Sequence, residues 1–150
     1  AGPVGGRALM SLRIEKGYGS WGRDYSPEYW PQEQGLAGLV KMDKEFLNKE
    51  AYGAIAGEAP REIMVLLEVH SQDNDAVGGE PIFLPDGVAA GQVTSGAYGY
   101  SVDKSLAIGY VKAGLAQPGD TMHVAILGRA VPATILSEPP FDPQGKRLRS

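Results

Sequence analysis

The chain has 150 residues, 43% hydrophobic and 21% charged, with a formal net charge of −4 and a pI near 5.2. That length carries a core for one domain, or one domain plus an arm, and the acidic balance argues against a nucleic-acid binder, which needs basic surface to displace counterions from phosphates. No cysteine is present, which excludes disulfides, thiolate metal sites and cysteine nucleophiles. No apolar run approaches the ~18 residues of a membrane span, so no membrane contact is expected, and a cytoplasmic location fits the lack of cysteine.

In chain order, Ala1 to Gly6 reads as a flexible lead. From Arg7 to Lys16, apolar residues at 8, 9, 10, 12 and 14 make a stripe too broad for a surface helix. This predicts a largely buried helix that stops at Gly17. Leu12 and Ile14 alternate with Arg13 and Glu15, so a strand is the competing reading. Residues 17–33 form a glycine- and proline-punctuated loop that carries Tyr18, Trp21, Tyr25, Tyr29 and Trp30. A loop this aromatic is expected to lie against another surface. Pro31-Gln32-Glu33 can open a helical turn, and Leu36–Met42 reads as a strand. Phe46–Ile55 has helical spacing and is closed by Gly57 and Pro60. The natural boundary falls before it, dividing an arm over 1–45 from a second unit over 46–150.

That second unit reads as strands. Ile63–Val69 and Ser105–Val111 are apolar runs. Pro81–Leu84 and Val88–Ser95 flank the turn Pro85-Asp86-Gly87. Thr121–Leu127 and Ala130–Leu136 flank Gly128-Arg129, read as a two-residue hairpin with Gly at its first central position. Pro132 lacks the N–H of a ladder, which places its strand at an edge. The predicted class is α+β, mainly β, with a helical arm followed by about six short antiparallel strands in a small barrel or sandwich.

Few motifs carry chemistry. Gly17-Tyr18-Gly19-Ser20-Trp21-Gly22 matches a dinucleotide pattern, but it follows a helix where that pattern needs a strand, so it reads as a turn. His70 and His123 lack ligand spacing, and Ser71–Asp75 departs from a calcium loop at its sixth and twelfth places, so no metal site is expected. Thr94-Ser95 stands outside any nucleophile elbow. Arg13 and Glu15 stand out, since charges on a buried helix must be paired. They read either as a structural ion pair or as the wall of a pocket for a polar or anionic ligand. The basic tail Lys146–Arg149 reads as a solvated end.

Ser11-Leu12-Arg13-Ile14-Glu15-Lys16-Gly17-Tyr18, Glu33-Gln34-Gly35-Leu36, Val40–Lys44 with Phe46-Leu47, Val93–Tyr98 and Ser105–Val111 together resemble the glycine-cleavage T-protein superfamily. The closing Glu138–Pro143 with Arg147–Arg149 resembles its dimethylglycine and sarcosine dehydrogenase branch. The resemblance implies that the chain is the C-terminal part of a larger enzyme. Residues 1–45 would be the tail of the folate-binding domain, and 46–150 the C-terminal Greek-key barrel.

It further implies tetrahydrofolate as cofactor, with FAD only in an upstream domain. The implied partners are the upstream domains of the parent and its N-methyl amine substrate. The family's catalytic aspartate is not in this chain, so no activity is expected from it alone. The implied folate-pocket positions are Leu9, Arg13, Glu15, Tyr29, Trp30 and Gly38. Leu9 stands where T-proteins have a ligand-contacting Arg, and Gly38 where they often have an aromatic residue. Tyr29 or Trp30 would supply the aromatic face instead. These departures also suit a docking or structural barrel that has lost folate binding.

Overall fold

The computed structural model describes residues 2–147 and 149. Ala1 of the expected lead and Leu148 of the basic tail lie outside the described residues. Two α-helices, α1 (Gly6–Glu15) and α2 (Lys49–Ile55), precede six strands. The strands are β1 (Glu62–Val69), β2 (Pro81–Phe83), β3 (Ala89–Gly99), β4 (Lys104–Lys112), β5 (Thr121–Ile126) and β6 (Arg129–Ile135). All pairings are antiparallel, and the order β1-β4-β3-β2-β5-β6 closes into a barrel. Three successive strands, β2, β3 and β4, lie side by side, and β1 returns beside β4, which is the Greek-key arrangement. The expected class, mainly β with a short helical arm and a six-stranded barrel, is the observed one.

The barrel fills with alternate side chains, among them Val65 and Leu67 of β1, Val93 of β3, Val111 of β4, Val124 of β5 and Ile135 of β6. β4 differs from its neighbours in being buried from Ser105 through Val111 without a break. Its outward Leu106 and Ile108 are covered by Ile14 of α1, which is fully buried. A strand covered on both faces reads as a continuous apolar run, and this is why Ser105–Val111 is legible as one. Gly91 of β3 permits the closest approach between strands, since a Cβ there would lie 1.9 Å from the carbonyl oxygen of Tyr110.

Four expectations need correction. Leu36–Met42 is not a strand. It carries a short 3₁₀ turn over Ala37–Leu39, and the six-stranded barrel is already closed without it. The helix reading of α1 holds, but α1 is not largely buried, since it covers only Ser11, Arg13, Ile14 and Glu15. The hairpin after β5 turns on Leu127 and Gly128, with φ of 47° and 78°, not on Gly128-Arg129. Arg129 already pairs with Ile126. Pro132 is not on an edge strand, because the barrel has none. Its carbonyl accepts from the amide of His70, just past the end of β1. The N–H and C=O of one strand residue face the same side, so the missing donor falls where the β1 ladder has ended.

Candidate functional site: the arm–barrel junction

Asp24 is the centre of the junction. It is fully buried, and its carboxylate takes four hydrogen bonds. Arg13 Nη1 at 2.6 Å and the Ser20 amide at 2.8 Å donate to Oδ2. Thr94 Oγ1 at 2.5 Å and Ser95 Oγ at 2.6 Å donate to Oδ1. Its backbone carbonyl accepts from Tyr110 Oη at 2.7 Å. Consecutive strand residues normally face opposite sides, yet two adjacent hydroxyls converge here on one oxygen. The register of β3 against β4 slips between Val93 and Ser95, and a bulge of this kind re-aims a side chain. Arg13 also donates to the carbonyl of Tyr18 at 3.0 Å, which fixes the glycine-rich turn after α1. Its Nε and Nη2 are buried and meet no partner.

A second clasp lies at Glu33, 1% exposed. Arg61 Nε donates to Oε1 at 2.8 Å and Arg61 Nη2 to Oε2 at 2.6 Å, and the amides of Trp30 and Arg61 donate as well. The Arg61 hydrogen bonds outweigh burial and bring the Glu33 carboxyl down to about 2 from an ordinary 4.5. The guanidinium of Arg61 lies 4.7 Å from the ring centroid of Trp30, a cation–π contact. Beside this clasp Tyr29 stacks on Tyr110, with centroids 3.8 Å apart. Burial raises both phenols above their ordinary value, at Tyr29 with help from Glu62.

The six residues expected at a pocket separate into two groups. Glu15 and Tyr29 reach Ser101 and Tyr110 of the barrel unit, Arg13 is buried on Tyr18 and Asp24, and Trp30 lies against Arg61 just before β1. Glu15, 1% exposed, accepts the Ser101 amide at 2.8 Å. Leu9 is 61% exposed, and Gly38 is exposed in the 3₁₀ turn. Arg13 pairs with Asp24, not with Glu15. Asp24 drew no attention in the sequence. The signal that points to it is local: a lone acid in a glycine-rich turn beside an arginine on a half-buried helix. His70 meets Thr134 Oγ1 at 2.9 Å, and His123 sits opposite Pro132 on the hairpin. Among the described residues no group of three or more His, Asp or Glu is placed to hold a metal ion. Among the described residues no helix is long and apolar enough to cross a membrane.

The junction therefore holds shape. Apart from Arg13 Nε and Nη2, the polar groups named here are paired with one another, and they fasten the arm to the outer face of β3 and β4. The arm also shows large apolar side chains outward: Leu9, Leu12 (53%), Tyr18 (52%), Trp21 (74%) and Leu39 (75%).

The glycine cleavage T-protein C-terminal barrel domain matches residues 63–142, and the GCVT N-terminal domain matches residues 1–44. The chain belongs to the glycine cleavage T-protein family. It is 39% identical to the mitochondrial dimethylglycine dehydrogenase of Mus musculus over 92% of its own length and 16% of that protein's. It is 34% identical to the 4-methylaminobutanoate oxidase (formaldehyde-forming) of Paenarthrobacter nicotinovorans, over 97% of this chain and 18% of that one. The crystal structure of the glycine cleavage system aminomethyltransferase T from Bartonella henselae superposes with a TM-score of 0.83 at 26% identity, over 91% of this chain and 38% of that one. The chain thus spans less than half the length of each of these relatives.

Proposed function

We propose that the chain is the C-terminal part of a tetrahydrofolate-dependent aminomethyl-transfer unit in a dimethylglycine- or sarcosine-dehydrogenase-like enzyme. Residues 1–45 close the folate pocket, and the barrel of residues 46–150 braces them from behind. The observation that carries this reading is the inverted arm: α1 turns Ser11, Arg13 and Glu15 toward the barrel and leaves Leu9 and Leu12 outside. Exposed apolar area of that kind marks an interaction surface. The rest of a longer chain is its natural cover, since relatives of this chain extend well beyond it.

The fit to tetrahydrofolate is that of one wall. Leu9, Gly38, Trp21 and Leu39 are exposed and would face the folate in this reading, while Arg13, Glu15, Tyr29 and Trp30 would act behind them as supports. The folate would take up the one-carbon unit released when an upstream, FAD-bearing region oxidises an N-methyl amine. Nothing in this chain is assigned to that oxidation. A wall of this sort contributes by positioning, which is worth much of a bimolecular barrier, so residues 1–150 alone are inactive.

The assay is product partition in the longer chain. With an N-methyl amine and tetrahydrofolate, methylenetetrahydrofolate should form at the expense of free formaldehyde. Free formaldehyde alone, at every folate concentration, would overturn the reading. A second reading, a docking barrel without folate, is favoured by Glu15 and Tyr29, two pocket candidates that the barrel unit itself engages.

A further inference from the structure

Residues 137–147 follow β6 and return to α1. The barrel is closed before they begin, since β6 pairs with both β5 and β1. Leu136 still belongs to the barrel. Its amide donates to the Leu66 carbonyl at 2.8 Å, and its side chain packs on the cluster of Ile14, Leu106 and Ile108. Beyond it the chain stands off from the turn between β3 and β4. An open groove of about 620 Å³ lies there, bordered by Val102, Lys104, Glu138 and Pro140.

The next contacts run to the C-terminal end of α1. A helix leaves its last carbonyls without partners of its own. The amides of Lys16, Gly17 and Tyr18 serve the carbonyls of Arg13 and Ile14, and the carbonyl of Glu15 is left over. Phe141 fills that place, its amide donating to the Glu15 carbonyl at 3.1 Å. Pro139 lies on Gly17, where a Cβ would stand only 3.0 Å from Pro139 Cγ. Lys16 Nζ donates to the carbonyl of Asp142 and lies 3.4 Å from its carboxylate, with both side chains mostly buried. The same carboxylate closes its own loop, accepting the Lys146 amide at 2.8 Å and the Arg147 amide at 3.2 Å. Asp142 therefore shapes the segment and also pins it to α1.

We propose that residues 137–147 are a strap that locks α1 on the barrel, and that opening the strap frees α1 while the barrel stays closed. Native proteins open locally where contacts are fewest. Every strand of the barrel is held by a neighbour on each side. α1 instead rests on the strands through the Ile14 side chain, Ser11 Oγ on the Tyr98 carbonyl at 2.7 Å and Glu15 Oε1 on the Ser101 amide at 2.8 Å. The strap adds its own ties at the end of the helix, so the far end of the chain sets how firmly the outward Leu9 and Leu12 are held.

The test is hydrogen exchange, followed amide by amide, in residues 1–150, in the same chain ending at Leu136, and in two point variants. The shortened chain should exchange about a hundredfold faster over residues 9–18, and Asp142→Ala about tenfold faster. Lys16→Gln cuts the ion pair to the strap and leaves the loop of residues 142–147 closed. It should speed the same amides about threefold. Amides of β1 and β4 should keep the parent rates in all three. Unchanged exchange in α1 would overturn the proposal, because the strap would then hold nothing. Exchange raised equally in β1 and β4, or a shortened chain that no longer folds, would overturn it too, because the strap would then hold the whole fold.

Discussion

Arg61 closes on the buried carboxylate of Glu33 with two nitrogens, Nε at 2.8 Å from Oε1 and Nη2 at 2.6 Å from Oε2, and so joins the entry to the first strand of the barrel to the loop of the arm. The Glu33 pKa falls to about 2, led by those hydrogen bonds and opposed by burial. Because the folded value lies below the ordinary 4.5, the stability from this group is fully present above about pH 4.5 and is lost as pH falls toward about 2. Denaturant unfolding between pH 7 and pH 2 should show that decline. Glu33→Gln should lower stability at pH 7 and flatten the acid limb. An acid limb of unchanged steepness in the variant would mean that other carboxylates carry it.

Asp24 anchors the other clasp. Asp24→Ala leaves Arg13 buried without its partner, and breaking a buried pair in this way costs about 3–5 kcal/mol. Thr94→Ala and Ser95→Ala each remove one donor to Oδ1 and should cost about 1 kcal/mol. The double variant should depart from additivity, because both hydroxyls serve one oxygen. Urea midpoints of the four proteins decide this.

Gly91→Ala places a methyl group 1.9 Å from the carbonyl oxygen of Tyr110, a backbone atom that cannot swing aside. The β3–β4 pair must then part. The expected loss is at least the ~1–3 kcal/mol of ordinary overpacking, read as a drop in thermal midpoint. A midpoint within a degree of the parent protein would show that the strands yield more easily than their pairing suggests.

The strands were legible because their burial pattern is regular. β4 stands out as a continuous apolar run, and β5 and β6 alternate around a two-residue turn. The arm was harder to read, for a physical reason: its apolar residues do not report the local core. Leu36–Met42 has the composition of a strand, yet the barrel closes without it. α1 carries a broad apolar stripe, yet it buries Ser11, Arg13 and Glu15 and exposes Leu9 and Leu12. Asp24 stayed hidden because its partners arrive from α1 and from a bulge in β3, and no spacing in the sequence reports a bulge.

The outward face of the arm makes a different prediction. Leu12→Ser and Trp21→Ser should leave residues 1–150 within about 0.5 kcal/mol of the parent stability, as exposed substitutions do. In the longer chain the same changes should lower the thermal midpoint, because the face is then covered. Equal, small effects in both contexts would mean that nothing docks there.

The central claim is that this chain is one wall of a shared folate pocket. Calorimetric titration of tetrahydrofolate into the longer chain and into residues 1–150 tests it most directly. The account predicts saturable binding to the longer chain, weakened by Leu9→Asp or Gly38→Asp, and no binding to residues 1–150 alone. A longer chain that takes up no tetrahydrofolate, or binds it unchanged with both positions substituted, would contradict the account.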